Sequence, residues 1–344
     1  MDKMQYAIGI DLGGTKVAAG VVDGQGRILG RSHRPTEVDR GREVVLENTV
    51  RAVREALARS PRWVRGRIQA VGVGAPGTVE AGTGRVLLAP NLRWQDVALG
   101  QLLQERLQMR VYVDNDANCA ALGELLAGAG RGSRHLLVIT LGTGVGAGLV
   151  LDGQLYRGAG GFAGEVGHIP VLPDGPLCGC GRRGCLETLC SATAVAAMAR
   201  QAVSDGRGAA IVAAARRIAQ GQVDARAVMA AARWKDPVAL AILREAGTYL
   251  GIGLAILVNL FNPERIVVGG SLARAGEALL GPAREELARR ALPGLAQQVA
   301  VVAAELGNQA GVVGAAALAL GWGRKEPGPG PEGAARAGAE PAEG

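Results

Sequence analysis

The stretch Gly9-Ile10-Asp11-Leu12-Gly13-Gly14-Thr15-Lys16 runs an apolar strand into a Gly/Thr turn, and Val138-Ile139-Thr140-Leu141-Gly142-Thr143-Gly144 repeats the move far downstream. Each turn leads into a second strand of small residues. Glycines let backbone N–H groups approach phosphate oxygens closely, and Thr15 adds a hydroxyl donor. Asp11, at the strand end, is placed to hold a metal-bound water. A plain hairpin turn explains either stretch alone, but the pair reads as a duplicated domain type whose two turns can face each other and hold one polyphosphate. The common nucleotide fingerprints do not fit. Lys16 follows the Thr instead of preceding it, unlike a Walker A loop. Glycine at every second residue from Gly142 to Gly148 gives no G-x-G-x-x-G register.

Working outward, residues 5 to 33 read as a strand meander, Glu43 to Ala58 as a helix stopped by Ser60-Pro61, and Ile68 to Val73 as a strand. A helix is expected at Leu99 to Leu107, then a strand at Val111 to Val113 that ends in Asp114-Asn115-Asp116. This alternation defines an α/β sheet. The second half is richer in helix, with helical patterns near Val195 to Ala202, Ala209 to Ala219 and Ala239 to Leu260, and a strand at Ile266 to Val268 entering Gly269-Gly270-Ser271. Gly311 to Leu320 reads as a last apolar helix. At 344 residues the chain suits two domains. The expected division is an N-terminal α/β domain over 1–114, completed by the final helix at 309–321, and a larger C-terminal α/β domain over 115–308. Residues 323–344, rich in Gly, Pro, Ala and Glu, have no apolar face to bury and are expected to be a disordered tail.

Composition narrows the function. Hydrophobic residues at 48% and charged residues at 20% are the usage of a soluble globular protein. The net charge is +7, but arginines are scattered and aromatics make up only 3%, so neither a basic stripe nor a stacking platform argues for nucleic acid. The start carries an acid at each end of a short apolar run, unlike a signal peptide. The uncharged stretch Gly247 to Pro263 falls short of the ~18 to 20 apolar residues of a membrane span and reads as a buried helix. Three of five cysteines crowd between Cys178 and Cys185, which fits metal binding in a reducing cytoplasm.

His168, Cys178, Cys180 and Cys185 supply three thiolates and one imidazole, the ligand set of a closed tetrahedral zinc site. The alternative is a loop of free thiols or a stray disulfide. Four protein ligands leave no open position, so this zinc is structural. Cys119 and Cys190 read as small buried residues. Glu165 lies three residues before His168, and Glu187 two after Cys185, so the metal can fix two acids by fixing their loop. With Asn115 they could accept or donate hydrogen bonds to vicinal hydroxyls, although most glutamates are simply exposed.

Taken together, Asp11 to Lys16, Asn115-Asp116-Ala117-Asn118, Glu165-Val166-Gly167-His168, the Cys178-to-Glu187 run and Gly269-Gly270-Ser271 resemble the ROK family (repressors, open reading frames, kinases), most closely its bacterial glucokinases. The resemblance covers about residues 5 to 321. It implies the actin-like ATPase (ribonuclease H-like) fold, two related domains flanking a cleft with a zinc-binding loop in the second. The activity it implies is ATP-dependent phosphorylation of a hexose, glucose first, with mannose, fructose, N-acetylmannosamine or allose as alternatives. Position by position it makes Asp116 the catalytic base and assigns the sugar to Asn115, Asp116, Glu165, His168 and Glu187, with Gly77 and Asn91 as further sugar-loop positions. Asp11, Gly13, Gly14, Thr15, Lys16, Gly142, Thr143 and Gly144 would face the phosphates and Mg²⁺, and Gly269 and Gly270 the nucleotide. A cytoplasmic homo-oligomer, dimer or tetramer, is expected, with no nucleic-acid or membrane partner. The family's repressors carry a helix-turn-helix domain before the Asp-Leu-Gly-Gly-Thr strand; only ten residues precede Asp11 here, so enzyme is expected over sugar-sensing regulator.

Overall fold

A computed structural model describes residues 5–323. Its frame is two five-stranded sheets with one topology. The first contains β1 (Tyr6–Leu12), β2 (Lys16–Asp23), β3 (Ile28–Pro35) and β4 (Ile68–Ala75). Then come β5 (Thr78–Glu80), β6 (Arg85–Ala89) and β7 (Trp94–Val97), which form a small sheet of their own, and β8 (Val111–Asn115), which returns to the first. The strand order is β3-β2-β1-β4-β8: an antiparallel meander from β1 to β3, then β4 and β8 parallel to β1. The second sheet repeats this with β9 (Leu136–Leu141), β10 (Val145–Leu151), β11 (Gln154–Tyr156), β12 (Arg265–Gly269) and β13 (Ala300–Ala303), in the order β11-β10-β9-β12-β13. The duplication read from two turns is thus a duplication of whole sheets, and the fold is the α/β, actin-like class.

Both faces of the first sheet are covered, which is why β1 is apolar along nearly its whole length. The helix Arg42–Ala58 packs on β2 and β3, and the helix Ala310–Ala319 packs on β1 and β4. The latter reaches the sheet at backbone distance: a Cβ on Gly9 would lie 1.8 Å from the Val312 carbonyl oxygen, and one on Gly72 1.7 Å from that of Ala315. The same helix meets the helix Asp116–Ala127, where a Cβ on Gly314 would fall 1.5 Å from the Cys119 carbonyl oxygen. Asp116–Ala127 also touches β9 and β10, so it joins the two sheets directly behind the residue that opens it.

The helix Pro237–Phe261 is long and apolar enough to cross a membrane by length and composition, with a mean hydropathy of 1.5 over its best window. Most of that window is buried inside the second half, against the helices Ala192–Ser204, Ala225–Arg233 and Glu277–Arg290. The expectation of a disordered tail falls on residues outside the described ones, except at Gly323. That residue is packed between Leu122 and Leu155, and its carbonyl accepts from Arg157.

Candidate active site

The first Gly/Thr turn is braced from outside. Gly13 N–H closes it onto the Lys16 carbonyl at 2.9 Å, and the buried Thr36 hydroxyl donates to the Gly13 carbonyl at 2.6 Å. Thr36 N–H also reaches the Thr15 carbonyl at 3.0 Å. Thr15 and Lys16 are left exposed. Asp11 lies against Gly311, at a spot where a Cβ would sit 2.8 Å from its carboxyl carbon. Burial pushes the Asp11 carboxyl up, with Lys16 opposing.

The second turn is held by the segment after the cysteine run. Ala192 N–H bonds the Gly142 carbonyl at 2.8 Å, and Thr193 Oγ1 donates to that of Thr143 at 2.7 Å. Gly270, at φ +86°, is pressed on Leu141, where a Cβ would come within 2.3 Å of the carbonyl oxygen. Gly269-Gly270 and Gly142-Thr143-Gly144 are therefore brought to one place.

Asn115 and Asp116 form the corner between β8 and its helix. Asn115 caps the helix, its Oδ1 accepting from Ala117 N–H at 2.9 Å and Asn118 N–H at 3.3 Å, while its Nδ2 donates to the Gly77 carbonyl at 3.0 Å. Gly77 needs its φ of +84° and its missing side chain, because a Cβ would lie 2.1 Å from the Leu88 carbonyl oxygen. Burial pushes the Asp116 carboxyl up to about 6; the Asp11 charge, and less strongly that of Glu165, adds to the shift, and the Ala117 N–H opposes it. Gly77, Asn115, Asp116, Asn118, Gly164 and Glu165 line one cavity of about 60 Å³. Asn91 is outside that lining. It stands against Gly14, whose Cβ would be 2.9 Å from its carbonyl oxygen.

His168 stands between Glu165 of this cavity and the cysteine cluster, and neither it nor Glu187 is part of the cavity lining. The ligand atoms of His168, Cys178, Cys180 and Cys185 all lie within 4.8 Å of one another. Cys178 Sγ is 3.6 Å from His168 Nδ1, and Cys180 Sγ is 3.6 Å from Cys185 Sγ. Ligands about 2.0–2.3 Å from one centre in a tetrahedron stand about 3.3–3.8 Å apart, so the two 3.6 Å pairs match the edges of a zinc site and the donor set suits that metal. Gly181 and Gly184, at φ +84° and +67°, let the chain double back on itself there. With Nδ1 toward the sulfurs, His168 Nε2 faces Glu165, 3.9 Å from Oε2. Glu187 Oε1 is 3.9 Å from His168 Nδ1, and its Oε2 accepts from Val145 N–H at 3.3 Å, just past the second turn. Cys119 and Cys190 are fully buried and outside the cluster, with thiols that burial pushes up.

Thr36, Thr193 and Arg157 escaped the sequence reading, and Asp114 and Asn118 entered it only as members of motifs, with no role of their own. Phe162, on the cavity wall and 43% exposed, also escaped it, although its rarity was a usable signal: the chain has only two phenylalanines.

Two α/β sheets of one topology, each with a Gly/Thr turn between its first two strands, define a protein of the actin-like ATPase class. The chain belongs to the ROK family, whose model matches residues 7–321. A glucokinase of Streptomyces coelicolor is 40% identical over 321 residues, which is 92% of this chain and 98% of that one. A xylose repressor of Caldicellulosiruptor bescii is 33% identical, over 91% of this chain but 77% of the repressor. Among solved structures, the ROK family glucokinase of Streptomyces griseus in complex with glucose and AMPPNP has a TM-score of 0.80 and 40% identity, covering 91% of this chain and 98% of that one.

Proposed function

We propose that this protein is an ATP-dependent sugar kinase that transfers a phosphoryl group to the 6-hydroxyl of glucose, with Asp116 as the general base. The observation that carries the proposal is the position of Asp116. Its raised carboxyl lines the same cavity as Glu165, and the charges of Asp11 and Glu165 are both near enough to act on it. A base poised near neutrality in that position can take a hydroxyl proton while a phosphoryl donor sits on the glycine turns.

In the proposed reaction Asp116 accepts the proton of the sugar hydroxyl as its oxygen bonds to the γ-phosphorus, the bond to the β–γ bridging oxygen breaks, and ADP leaves. Asn115 Nδ2 keeps a second hydrogen for the sugar beyond the one given to Gly77. Glu165, His168 Nε2 and Glu187 offer the remaining contacts to ring hydroxyls, with Gly77 and Asn91 shaping the neighbouring loops. The N–H groups of Gly13, Gly14, Thr15, Gly142, Thr143 and Gly144, together with Lys16, take the phosphate charge. Mg²⁺, held through Asp11, would neutralise charge developing on the β- and γ-oxygens. Zinc on His168, Cys178, Cys180 and Cys185 would fix the loop that carries the sugar acids.

The two sheets are read as two domains, 1–114 with 309–321 and 115–308, closing on the sugar so that water is excluded. A cytoplasmic homo-oligomer belongs to the same reading. A coupled assay of ADP release over a hexose panel tests it: glucose should give the highest kcat/KM. A preference for mannose, fructose, N-acetylmannosamine or allose would replace glucose, and sugar binding without ADP release would replace the kinase by a sensor.

A further inference from the structure

The most buried charged contact near the site is used by none of these steps. Asp114, 2% exposed, is the penultimate residue of β8 in the first sheet; Arg157, 17% exposed, directly follows β11 at the edge of the second. Arg157 Nε and Nη2 reach Asp114 Oδ2 at 2.8 and 2.6 Å, and Nη1 donates to the Gly323 carbonyl. Asp114 Oδ1 accepts from Asn115 N–H and from Asn118 Nδ2, each at 2.8 Å. One carboxylate is thus satisfied by groups from both halves. One guanidinium meets the strand that ends in Asn115, the last described residue and, through its own backbone, the loop of Glu165. That loop starts at Arg157, whose carbonyl accepts from Ala163 N–H at 2.9 Å. Gly158, Gly161 and Gly164 all have positive φ, a path that glycine takes without strain, and the loop is held at Arg157 on one side and by the packing of Gly164 on the Ala147 carbonyl on the other.

We infer that Arg157, through Asp114, is a positioning residue for the sugar subsite: it pins the Glu165 loop of one half to the Asn115-Asp116 corner of the other. The inference rests on the sugar-kinase reading above. A buried ion pair is weak support for stability, because desolvation offsets much of its attraction, and its best-attested use is to fix one arrangement among several. Lysine cannot replace the guanidinium here, since a single ammonium cannot span Asp114 Oδ2 and the Gly323 carbonyl with a planar fork.

The test compares wild type, Arg157→Lys and the double variant Asp114→Asn/Arg157→Gln, which removes both charges and leaves none buried alone. Folding is checked by circular dichroism and melting, and glucose and a non-hydrolysable ATP analogue are titrated by calorimetry. In folded variants kcat/KM for the sugar should fall by about 10²-fold, as for a small misplacement of a reacting group, with glucose affinity lowered and analogue affinity unchanged. Wild-type glucose affinity and kcat in the folded double variant would overturn the inference. So would equal losses of both ligands in step with the melting temperature, the mark of a merely structural pair. A wild type that neither binds nor phosphorylates any hexose would instead remove the kinase reading itself, and this inference with it.

Discussion

Asp116→Asn isolates the basic oxygen from everything else Asp116 does. The amide keeps the volume and still accepts from Ala117 N–H, which Asp116 Oδ1 meets at 2.8 Å. Loss of a general base lowers rate by ~10² to 10⁴-fold, equivalent to a barrier about 3–5 kcal/mol higher. The expected result in a coupled assay is a collapse of kcat with glucose affinity by calorimetry near wild type. Wild-type kcat/KM, which follows the ionisation of the free enzyme, should itself fall about tenfold per pH unit below the group's value of about 6. Survival of kcat within about fivefold, with only KM for glucose raised, would refute the argument. Asp116 would then be a binding residue, and the base would have to be sought at Glu165 or Glu187.

Stability gives the same substitution a second readout with a definite sign. The Asp116 carboxyl is raised from 3.8 to about 6 by burial and by the Asp11 charge. The folded state therefore holds its proton more tightly than the unfolded chain, so stability is fully present below pH ~4 and is lost as pH rises to about 6. At 1.36 kcal/mol per unit the loss is at most about 3 kcal/mol, less what water screens at this half-buried group. Asparagine does not ionise and escapes that loss. The variant should melt above wild type at pH 7 to 8 and alike near pH 4; a variant that melts lower at both would show that the ionised carboxylate stabilises the corner.

Elemental analysis should find close to one zinc per chain, and Cys180→Ser should lose metal, melting temperature and glucose affinity together, whereas full glucose affinity in the metal-free protein would uncouple the cluster from the sugar. Gly314→Ala puts a methyl into the Cys119 carbonyl and should cost about 1–3 kcal/mol in a urea melt; an unchanged midpoint would mean the two helices can part freely. Truncation after Gly323 should leave activity and melting temperature unchanged, since the sequence beyond it has no periodic apolar face, and a fall of several degrees would show that it contributes to the body.

What could be read from the sequence was what is local in it. The cysteine run, the two Gly/Thr turns and the Asn115-Asp116 corner each declare their chemistry within a few residues. Thr36 does not, because its hydroxyl matters only through a carbonyl 23 residues earlier, and Arg157 meets its carboxylate across 43 residues. The small sheet of β5, β6 and β7 was missed for another reason: its strands are only three to five residues long, and the adjacent pairs Leu87-Leu88 and Gln95-Asp96 break the alternation, so no period of two stands out. Asn91 shows the limit of reading a turn by its residues alone. Its loop belongs to that small sheet, and the sheet delivers it to Gly14 rather than to the cavity wall.

The register of the sheets explains why the legible pieces lie at one edge of each sheet. Asp11 pairs with Gly74 and Ala75 with Asn115, so the acid of the first turn, the root of the Gly77 turn and the Asn115-Asp116 corner all lie at the carboxyl ends of the parallel strands β1, β4 and β8. In the second sheet Gly269 pairs with Thr140, which brings Gly269-Gly270 and Gly142-Thr143-Gly144 to the carboxyl ends of β12 and β9. Open α/β sheets bind ligands at that edge. A duplication of the sheet supplies the edge twice, and the helix Asp116–Ala127, packed on strands of both sheets, sets how one edge faces the other. The raised carboxyl of Asp116 follows from that facing. It is partly shielded from water at the start of this helix, and the Asp11 charge that adds to its shift comes from the end of a strand two places away in the sheet.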